Sequence, residues 1–264
     1  MTTASLAEVL DILNEIAPLE LAAEWDNVGL LLQPHRQPPA VRRALLTIDL
    51  TEAVVAEAKK LGAQLVVSYH PPIFQPLKRL RHGDGKQGAL LAAAAAGLIV
   101  FSPHTALDAA PSGLADWLVE CALGGDRPAE VRPCGEGEFG RVLVLKKSVR
   151  FATLLLRLKR AFGVKHLRLA LPGKAPKNVR SIAIAAGSGA SALRGSGADV
   201  VVTGEMSHHD ALAVTSAGGA VVLAGHSNTE RGFLPELRRR LTAAFDGDLD
   251  VRIATSDVDP FVIG

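Results

Sequence analysis

Cysteine, aromatic residues and excess charge are all scarce in this chain of 264 residues. Its two cysteines are too few for a disulfide framework or a zinc ribbon, so we expect a reducing, cytoplasmic compartment and unreactive thiols. Basic residues exceed acidic ones by only 29 to 27, which provides no electrostatic basis for binding a nucleic acid or a membrane surface. Aromatic residues make up 4%, and Tyr69 is the only tyrosine.

Long apolar runs are also missing. A membrane-spanning helix needs about 18 apolar residues, and the stretch 89–101 is too short. The start of the chain has no basic stretch followed by an apolar segment, so we expect no signal peptide. Hydrophobic residues nevertheless make up 48% of the chain and charged residues 21%, which excludes wholesale disorder and supports a globular fold of one or two domains.

Strand-like and helix-like segments alternate along most of the chain. Apolar runs such as 44–48 and 98–101 are typical of buried strands, and helical patterns separate them. The alternation restarts after 124–140, a stretch with little periodicity. The pattern predicts an α/β fold with largely parallel sheets, in two tightly packed halves at 1–125 and 140–264 that can also be counted as one domain. One continuous open sheet is the alternative.

Five of the eight histidines directly follow apolar, strand-like runs. In open α/β sheets, ligands bind outside the carboxyl ends of the strands, so side chains that are distant in sequence can converge there. Two of these histidines have an acidic residue four positions later, which places each pair on one face of a helix or turn. The five histidines are His70, His104, His208, His209 and His226, and the two acidic residues are Asp108 and Glu230.

The pairing of imidazoles with carboxylates indicates a metal site. Such donors suit Zn, Mn, Fe or Co better than Ca or Mg. Two carboxylates with several imidazoles can hold two ions that activate a water nucleophile. The alternative is that each pair is a surface contact or a helix cap.

Other features also have two interpretations. The glycines at 187–189 can cradle a phosphate through backbone N–H groups, but they lack both nucleotide-binding fingerprints, so a tight strand–helix turn is the alternative. Basic side chains at 78–82 can attract an anionic substrate or form an ordinary exposed loop. Glu205 and Asp210 flank a histidine pair, where they can orient a substrate or a ligand, or cap the following helix.

Five motifs match one known family in its order and nearly from end to end. They are EWDNVGL at 24–30, SYHPPIF at 68–74, HTALDA at 104–109, TGEMSHHD at 203–210 and HSNTERG at 226–232. On these motifs the chain resembles the Ngg-one-interacting-factor-three-like proteins, which are also described as type-two GTP cyclohydrolase I homologues. The wording of the second and fourth motifs looks like the branch that includes eukaryotic members.

The resemblance implies two related α/β lobes with a di-metal site in the cleft between them, and a toroidal homohexamer built as a trimer of dimers. The short stretch at 124–140 resembles the compact form without an inserted domain. Glu230 matches the bridging carboxylate, and His104 matches a further histidine of the site. The implied metal ligands are His70, Asp108, His226 and Glu230.

Tyr69 departs from the family pattern. Many bacterial members have two adjacent histidines where this chain has Tyr69 and His70, and the first of them serves the second metal. A phenol, with an unperturbed pKa of about 10, ligates a metal well only after losing its proton. We therefore expect one or two divalent ions per chain (Zn, Fe or Mn), with the second site the weaker. Alternatively, Tyr69 packs its ring under the loop, and the second site is filled from other residues or is absent.

These expectations combine into a metal-binding, hydrolase-like protein that acts on a small molecule. The family's name implies a nucleotide such as GTP. A metal would polarise a bound water, and His104, His208 or Glu205 would move protons. A non-enzymatic metal-binding scaffold or regulatory interaction protein is the alternative.

The family resemblance implies a hexamer, which predicts the mass of the protein in solution. Alanine-rich helices such as the one expected at 87–96 can pack closely against a second copy. Light scattering of the purified protein is therefore expected to give about six times the chain mass of 27.7 kDa, since closed symmetric assemblies have fixed copy numbers. A clean monomer at micromolar concentration would contradict the hexamer.

Overall fold

The computed structural model describes residues 4–35 and 40–263. The surface turn that Pro34, Pro38 and Pro39 predict lies partly outside these residues. In chain order the helices and strands are α1 (Leu6–Ile16), β1 (Gly29–Leu32), β2 (Arg43–Thr47), α2 (Glu52–Leu61), β3 (Leu65–Ser68), α3 (Gly85–Ala95), β4 (Ile99–Ser102), α4 (His104–Ala109), α5 (Leu114–Leu123), β5 (Pro128–Cys134), β6 (Gly140–Arg150), α6 (Phe151–Phe162), β7 (Arg168–Ala170), β8 (Asn178–Ala185), β9 (Val200–Thr203), α7 (His208–Ser216), β10 (Ala220–Leu223), α8 (Asn228–Arg231), α9 (Leu234–Ala244) and β11 (Asp250–Ile253).

Local sequence sets the ends of the first two helices. Ser5 and Glu8 form a reciprocal capping box at the start of α1, in which each side chain bonds the other residue's backbone N–H. The Thr51 hydroxyl accepts the Val54 N–H at the start of α2. Gly62, with a φ of 67°, ends α2 in the left-handed conformation that glycine adopts readily. Residues within a few positions of each end therefore set these helix boundaries.

Among the described residues, the strands form two sheets, one of five strands and one of six. The first has the order β1-β4-β3-β2-β11, with β1 antiparallel at one edge and the other pairings parallel. The second has the order β5-β6-β8-β9-β10-β7, in which β8, β9 and β10 are parallel and three pairings are antiparallel. The mixed α/β class with mostly parallel pairing is confirmed, and the alternative of one continuous sheet is wrong.

The chain divides into two compact units. The first unit comprises Met1–Leu107 and Phe233–Gly264, and the second unit comprises Asp108–Gly232. The expected halves, 1–125 and 140–264, differ from these units, since the C-terminal segment belongs to the first. The physical reason is that β11 pairs with β2 and α9 packs on both strands, a long-range return that local sequence patterns do not reveal.

The stretch 124–140, expected to be irregular, contains β5. This strand pairs antiparallel with β6 at the edge of the second sheet, and most of its residues are exposed. The sequence pattern did not predict β5 because it contains Pro128 and Pro133. Proline cannot donate to a ladder and is tolerated in strands mainly at edges. The absence of apolar alternation therefore did not mean the absence of a strand.

Each unit has its own apolar core. In the first, side chains of α2 and α3 pack against β2, β3 and β4, around Leu45, Val54, Val66, Leu90 and Val100. In the second, α5 and α6 cover the sheet around Leu118, Leu143, Leu154, Ile182 and Val202. Close packing on this scale holds the strand ends in register. None of the helices in residues 4–35 and 40–263 combines the length and the apolar character needed to cross a membrane.

Glu57 of α2 anchors the segment that follows β11. Its carboxylate accepts hydrogen bonds from the backbone N–H and hydroxyl groups of Thr255 and Ser256, at 2.6–3.1 Å. Burial alone would raise the pKa of Glu57, but these hydrogen bonds outweigh it and lower the pKa to about 2. The negative form of Glu57 is therefore part of the folded structure at neutral pH.

The Glu57→Gln variant is expected to be less stable at pH 7 by on the order of 2 kcal/mol, since a charged acceptor is lost. The contribution of the Glu57 carboxylate is fully present above its ordinary pKa of 4.5 and is lost as the pH falls through about 2. Urea unfolding of both proteins should therefore show a gap at pH 7 that narrows steadily below pH 4.5. The same gap at pH 7 and near pH 2 would contradict this role.

Candidate functional site

Three parallel strands of the second unit end beside one another. Gly187 lies just beyond β8, Glu205 beyond β9 and His226 beyond β10. Backbone hydrogen bonds continue past the strands, since the Glu205 N–H donates to the Gly187 carbonyl at 3.0 Å and the Gly225 N–H donates to the Gly204 carbonyl at 2.9 Å. The carboxyl edge of this sheet therefore presents polar side chains, as its parallel topology predicts.

His226 lies between two carboxylates of the second unit. Its Nδ1 atom is 2.9 Å from Glu205 Oε1, and its Nε2 atom is 3.3 Å from Glu230 Oε1. Glu230 lies on α8 and is only 2% exposed. The Thr229 hydroxyl accepts the Gly187 N–H at 2.8 Å and donates to the His226 carbonyl at 2.7 Å, which ties α8 to the strand ends. The predicted pairing of His226 with Glu230 is thus a direct contact.

Gly187 keeps the space beside this pair open. It has a φ of +52°, and a Cβ added there would lie 2.5 Å from Glu230 Oε1 and 3.0 Å from His226 Nε2. A side chain at Gly187 would therefore occupy the volume next to both polar atoms. The chain turns there and enters a short 3-10 helix at Gly189–Leu193, which agrees with the tight-turn interpretation of the glycines.

In the first unit, His70 follows β3 and is held by the chain that follows β2. Its backbone N–H donates to the Ile48 carbonyl at 2.9 Å. Its Nδ1 atom lies 3.0 Å from Oδ1 of Asp49. Two successive residues, Ile48 and Asp49, thus hold the backbone and the ring of His70.

His104 begins α4 and contacts a buried carboxylate of the first unit. Its Nδ1 atom lies 2.8 Å and 2.9 Å from the two oxygens of Asp26, whose side chain is fully buried. The Thr105 N–H also donates to Asp26, at 3.2 Å. Burial would raise the pKa of Asp26, but the bonds from His104 and Thr105 lower it overall, so the carboxylate is charged at neutral pH. His104 has a φ of 29°, an uncommon backbone conformation for a non-glycine residue.

Aromatic rings surround His104 within the first unit. Its ring centroid is 5.5 Å from those of Tyr69 and His70, 6.1 Å from that of Phe74 and 6.4 Å from that of Trp25. Tyr69 is buried, and its ring packs against both imidazoles. Trp25 is 61% exposed, which is unusual for so large an apolar ring. Metal ligation by Tyr69 stays a prediction.

The remaining predicted residues lie in different surroundings. Asp108 is half-buried in the last turn of α4. His208 is exposed at the start of α7. Ser207 caps α7, since its hydroxyl accepts the Asp210 N–H at 3.1 Å and donates to the Asp210 carboxylate at 2.7 Å. The contact of Glu205 with His226 supports the interpretation of Glu205 as an orienting group.

The two cysteines agree with the expectation of unreactive thiols. Burial, with a smaller effect from the Glu120 charge, raises the pKa of Cys121 to about 12. Burial also raises the pKa of Cys134. Since the thiolate is the reactive form of cysteine, both thiols are poor nucleophiles at neutral pH.

The sequence reasoning did not single out three residues that hold the histidines. Asp26 lies within the first motif, but nothing in its spacing points to His104. Asp49 lies two residues beyond the end of β2, so the strand-end rule that selected the histidines would have found it if applied to acidic residues. Thr229 carries no signal in the sequence beyond its place between His226 and Glu230.

The two sheets, with imidazole–carboxylate pairs beside the ends of parallel strands, define an α/β protein with polar side chains of the types that can ligate a metal at its strand ends. Comparison with known proteins then identifies the family. The chain belongs to the Duf34/NIF3 (NGG1p interacting factor 3) family, whose profile matches residues 4–260. The family expected from the five motifs is therefore confirmed.

Relatives match over nearly the whole chain. NIF3-like protein 1 of Drosophila melanogaster is 42% identical over 262 residues, covering 97% of this chain and 88% of its own. Protein NIF3 homolog of Schizosaccharomyces pombe is 37% identical over 276 residues, covering 98% and 99%. The solved Bacillus cereus protein related to NIF3 has a TM-score of 0.83 at 20% identity, with all of both chains covered. Reduced HcgD from Methanocaldococcus jannaschii has a TM-score of 0.83 at 23% identity, covering 97% and 99%, so these two structures support the fold.

Proposed function

We propose that this protein binds a divalent transition metal ion through His70, His226 and Glu230, with Asp108 as a further ligand. The first three of these side chains each offer one ligand atom. The observation that carries the proposal is the 3.3 Å contact between His226 Nε2 and the buried Glu230 carboxylate. Imidazole nitrogen and carboxylate oxygen are donors that suit Zn, Fe or Mn.

The surroundings of the imidazoles fit ligands. A metal-bound histidine usually donates its other ring N–H to a carboxylate or carbonyl, which fixes the ring. His226 faces Glu205 through Nδ1, and His70 faces Asp49 through Nδ1, so Nε2 is the ligand atom of both. Gly187 supports the same assignment, because any side chain there would crowd His226 Nε2.

We further propose that the protein is a hydrolase. A bound divalent ion supplies Lewis-acid activation of a water molecule. His104 transfers protons in this scheme, since the Asp26 carboxylate contacts its Nδ1 atom at 2.8 Å and orients the ring. Glu205, through its contact with His226, orients a ligand in this scheme, and the exposed His208 is a second candidate for proton transfer.

A nucleotide such as GTP is the proposed substrate. Trp25 and Phe74, whose ring centroids are 5.9 Å apart, are exposed next to His104 and can contact a planar base. The exposed loop after Phe74 carries Lys78, Arg79 and Arg81, which match the charge of phosphate groups. Both features belong to the first unit, which also contains His104.

Metal content tests the ligand assignment. Elemental analysis of the purified wild type is expected to find one to two divalent ions per chain, as the number of ligand groups allows. Glu230→Ala should lose most of the metal, since it removes a buried charged ligand. The matched control is Glu120→Ala, which removes an exposed carboxylate from α5 and should keep the metal. A folded Glu230→Ala protein with full metal content would contradict the assignment.

Gly187→Ala tests the space beside the two ligands of the second unit. The added methyl group should displace the Glu230 carboxylate and weaken Zn²⁺ binding by about tenfold, the lower range for disturbing a group that positions a ligand. Gly197→Ala is the control, because Gly197 has a similar φ of +64° but no atom within 4 Å of an added Cβ. Isothermal titration of both variants measures the affinities. An equal loss of Zn²⁺ affinity in the two variants would show that backbone strain alone causes the effect.

Turnover of nucleotides and phosphoesters separates the hydrolase from a scaffold. Wild type and Glu120→Ala should release product from a nucleotide in a metal-dependent way, whereas Glu230→Ala should not. Trp25→Ala should keep the metal and raise KM for that nucleotide by at least about fivefold, since stacking a base on an aromatic ring contributes about 1–3 kcal/mol. Full metal occupancy without turnover of any compound in the screen would favour the scaffold.

A further inference from the structure

The Asp257 carboxylate accepts a backbone hydrogen bond from the residue after β2, where pairing with β11 has ended. The Ala254 N–H still donates to the Leu46 carbonyl at 2.8 Å and continues the parallel ladder between β11 and β2. Beyond this point the segment leaves the ladder, and the Ile48 N–H donates to Asp257 Oδ2 at 2.7 Å instead. Ile48 is fully buried and Asp257 is 6% exposed. A buried backbone N–H needs an acceptor, and here a side chain from the C-terminal segment provides it.

Ile48 and Asp49, which follow β2, also hold His70. The Ile48 carbonyl accepts the His70 backbone N–H at 2.9 Å. The next residue, Asp49, contacts the His70 ring at Nδ1, and the Thr47 hydroxyl donates to the Asp49 carbonyl at 3.0 Å. Any shift of Ile48 and Asp49 would therefore move both the backbone and the ring of His70.

We propose that Asp257 is a positioning residue for His70 and acts through Ile48 and Asp49. A charged acceptor makes a shorter and stronger hydrogen bond than a neutral one, so Asp257 holds the end of β2 firmly. Without it, the buried Ile48 N–H loses its acceptor, the end of β2 relaxes, and Asp49 no longer fixes the direction of the imidazole. The effect on metal affinity rests on the proposed function, whereas the effect on the His70 ring does not.

A different residue, Glu57, anchors the C-terminal segment as a whole. Glu57 binds Thr255 and Ser256, just before Asp257 in the chain. Loss of the Glu57 carboxylate loosens the segment but keeps the acceptor of Ile48. Glu57→Gln is therefore a matched control for Asp257→Ala.

The experiment compares the full chain with Asp257→Ala, Asp257→Asn and Glu57→Gln. The first measurement is the ¹⁵N NMR signals of the His70 ring nitrogens in metal-free protein at one fixed pH, assigned with a His70→Gln variant. The second is Zn²⁺ affinity by isothermal titration. Asp257→Ala should mix the two ring tautomers of His70 and weaken Zn²⁺ binding by about fivefold, less than the about 10–100-fold typical of losing a direct partner of a ligand.

The two other variants separate positioning from stability. Asp257→Asn should retain most of the wild-type His70 ring signals and Zn²⁺ affinity, because its amide oxygen still accepts the Ile48 N–H. Glu57→Gln should leave both unchanged. If Asp257→Ala fails to fold, Asp257→Glu replaces it, since one added methylene moves the carboxylate while keeping its charge, and the same losses are expected.

Wild-type His70 ring signals and Zn²⁺ affinity in folded Asp257→Ala, or in Asp257→Glu where it replaces that variant, would overturn the proposal. Equal perturbation by Glu57→Gln would also overturn it, because anchoring of the segment would then explain the effect. A wild type that binds no Zn²⁺ would contradict the proposed function, and the His70 ring signals would still decide the role of Asp257.

Discussion

The hydrogen bond between an imidazole Nδ1 atom and a carboxylate recurs three times in the part of the chain that the structure describes, and it organises the polar residues there. Each bond fixes the plane of a ring through its Nδ1 atom. In two of the pairs, both partners follow different parallel strands of one sheet, so the bond forms only when those strands end level with each other. The pairs are His70–Asp49, His104–Asp26 and His226–Glu205.

Burying charged groups at strand ends costs free energy that nearby bonds must offset. Asp26 is fully buried and accepts bonds from His104 and Thr105, and these keep its pKa low. Glu230 is almost as buried and contacts His226. The apolar cores of the two units stabilise the sheets that carry these groups. Polar side chains can therefore gather at the sheet edges while each fold stays intact.

Much of the fold could be predicted from local patterns. The capping box of α1 and the glycine that ends α2 are signals within a few residues, and alternation of strands and helices indicated mostly parallel pairing. β5 was missed because an exposed edge strand has no apolar alternation and tolerates proline. The return of β11 to β2 was missed because pairing between distant segments depends on which apolar faces pack together.

The sequence by itself determined the family and the identity of the histidines at strand ends, since both depend on residue types at fixed spacing. Only the tertiary structure decided which carboxylate holds each ring. Asp49 reaches His70 because β2 and β3 are parallel neighbours, and Asp257 reaches Ile48 because the chain returns to β2 more than 200 residues later. Hydrogen bonds over such sequence distances follow from strand order and core packing, and no local pattern encodes them.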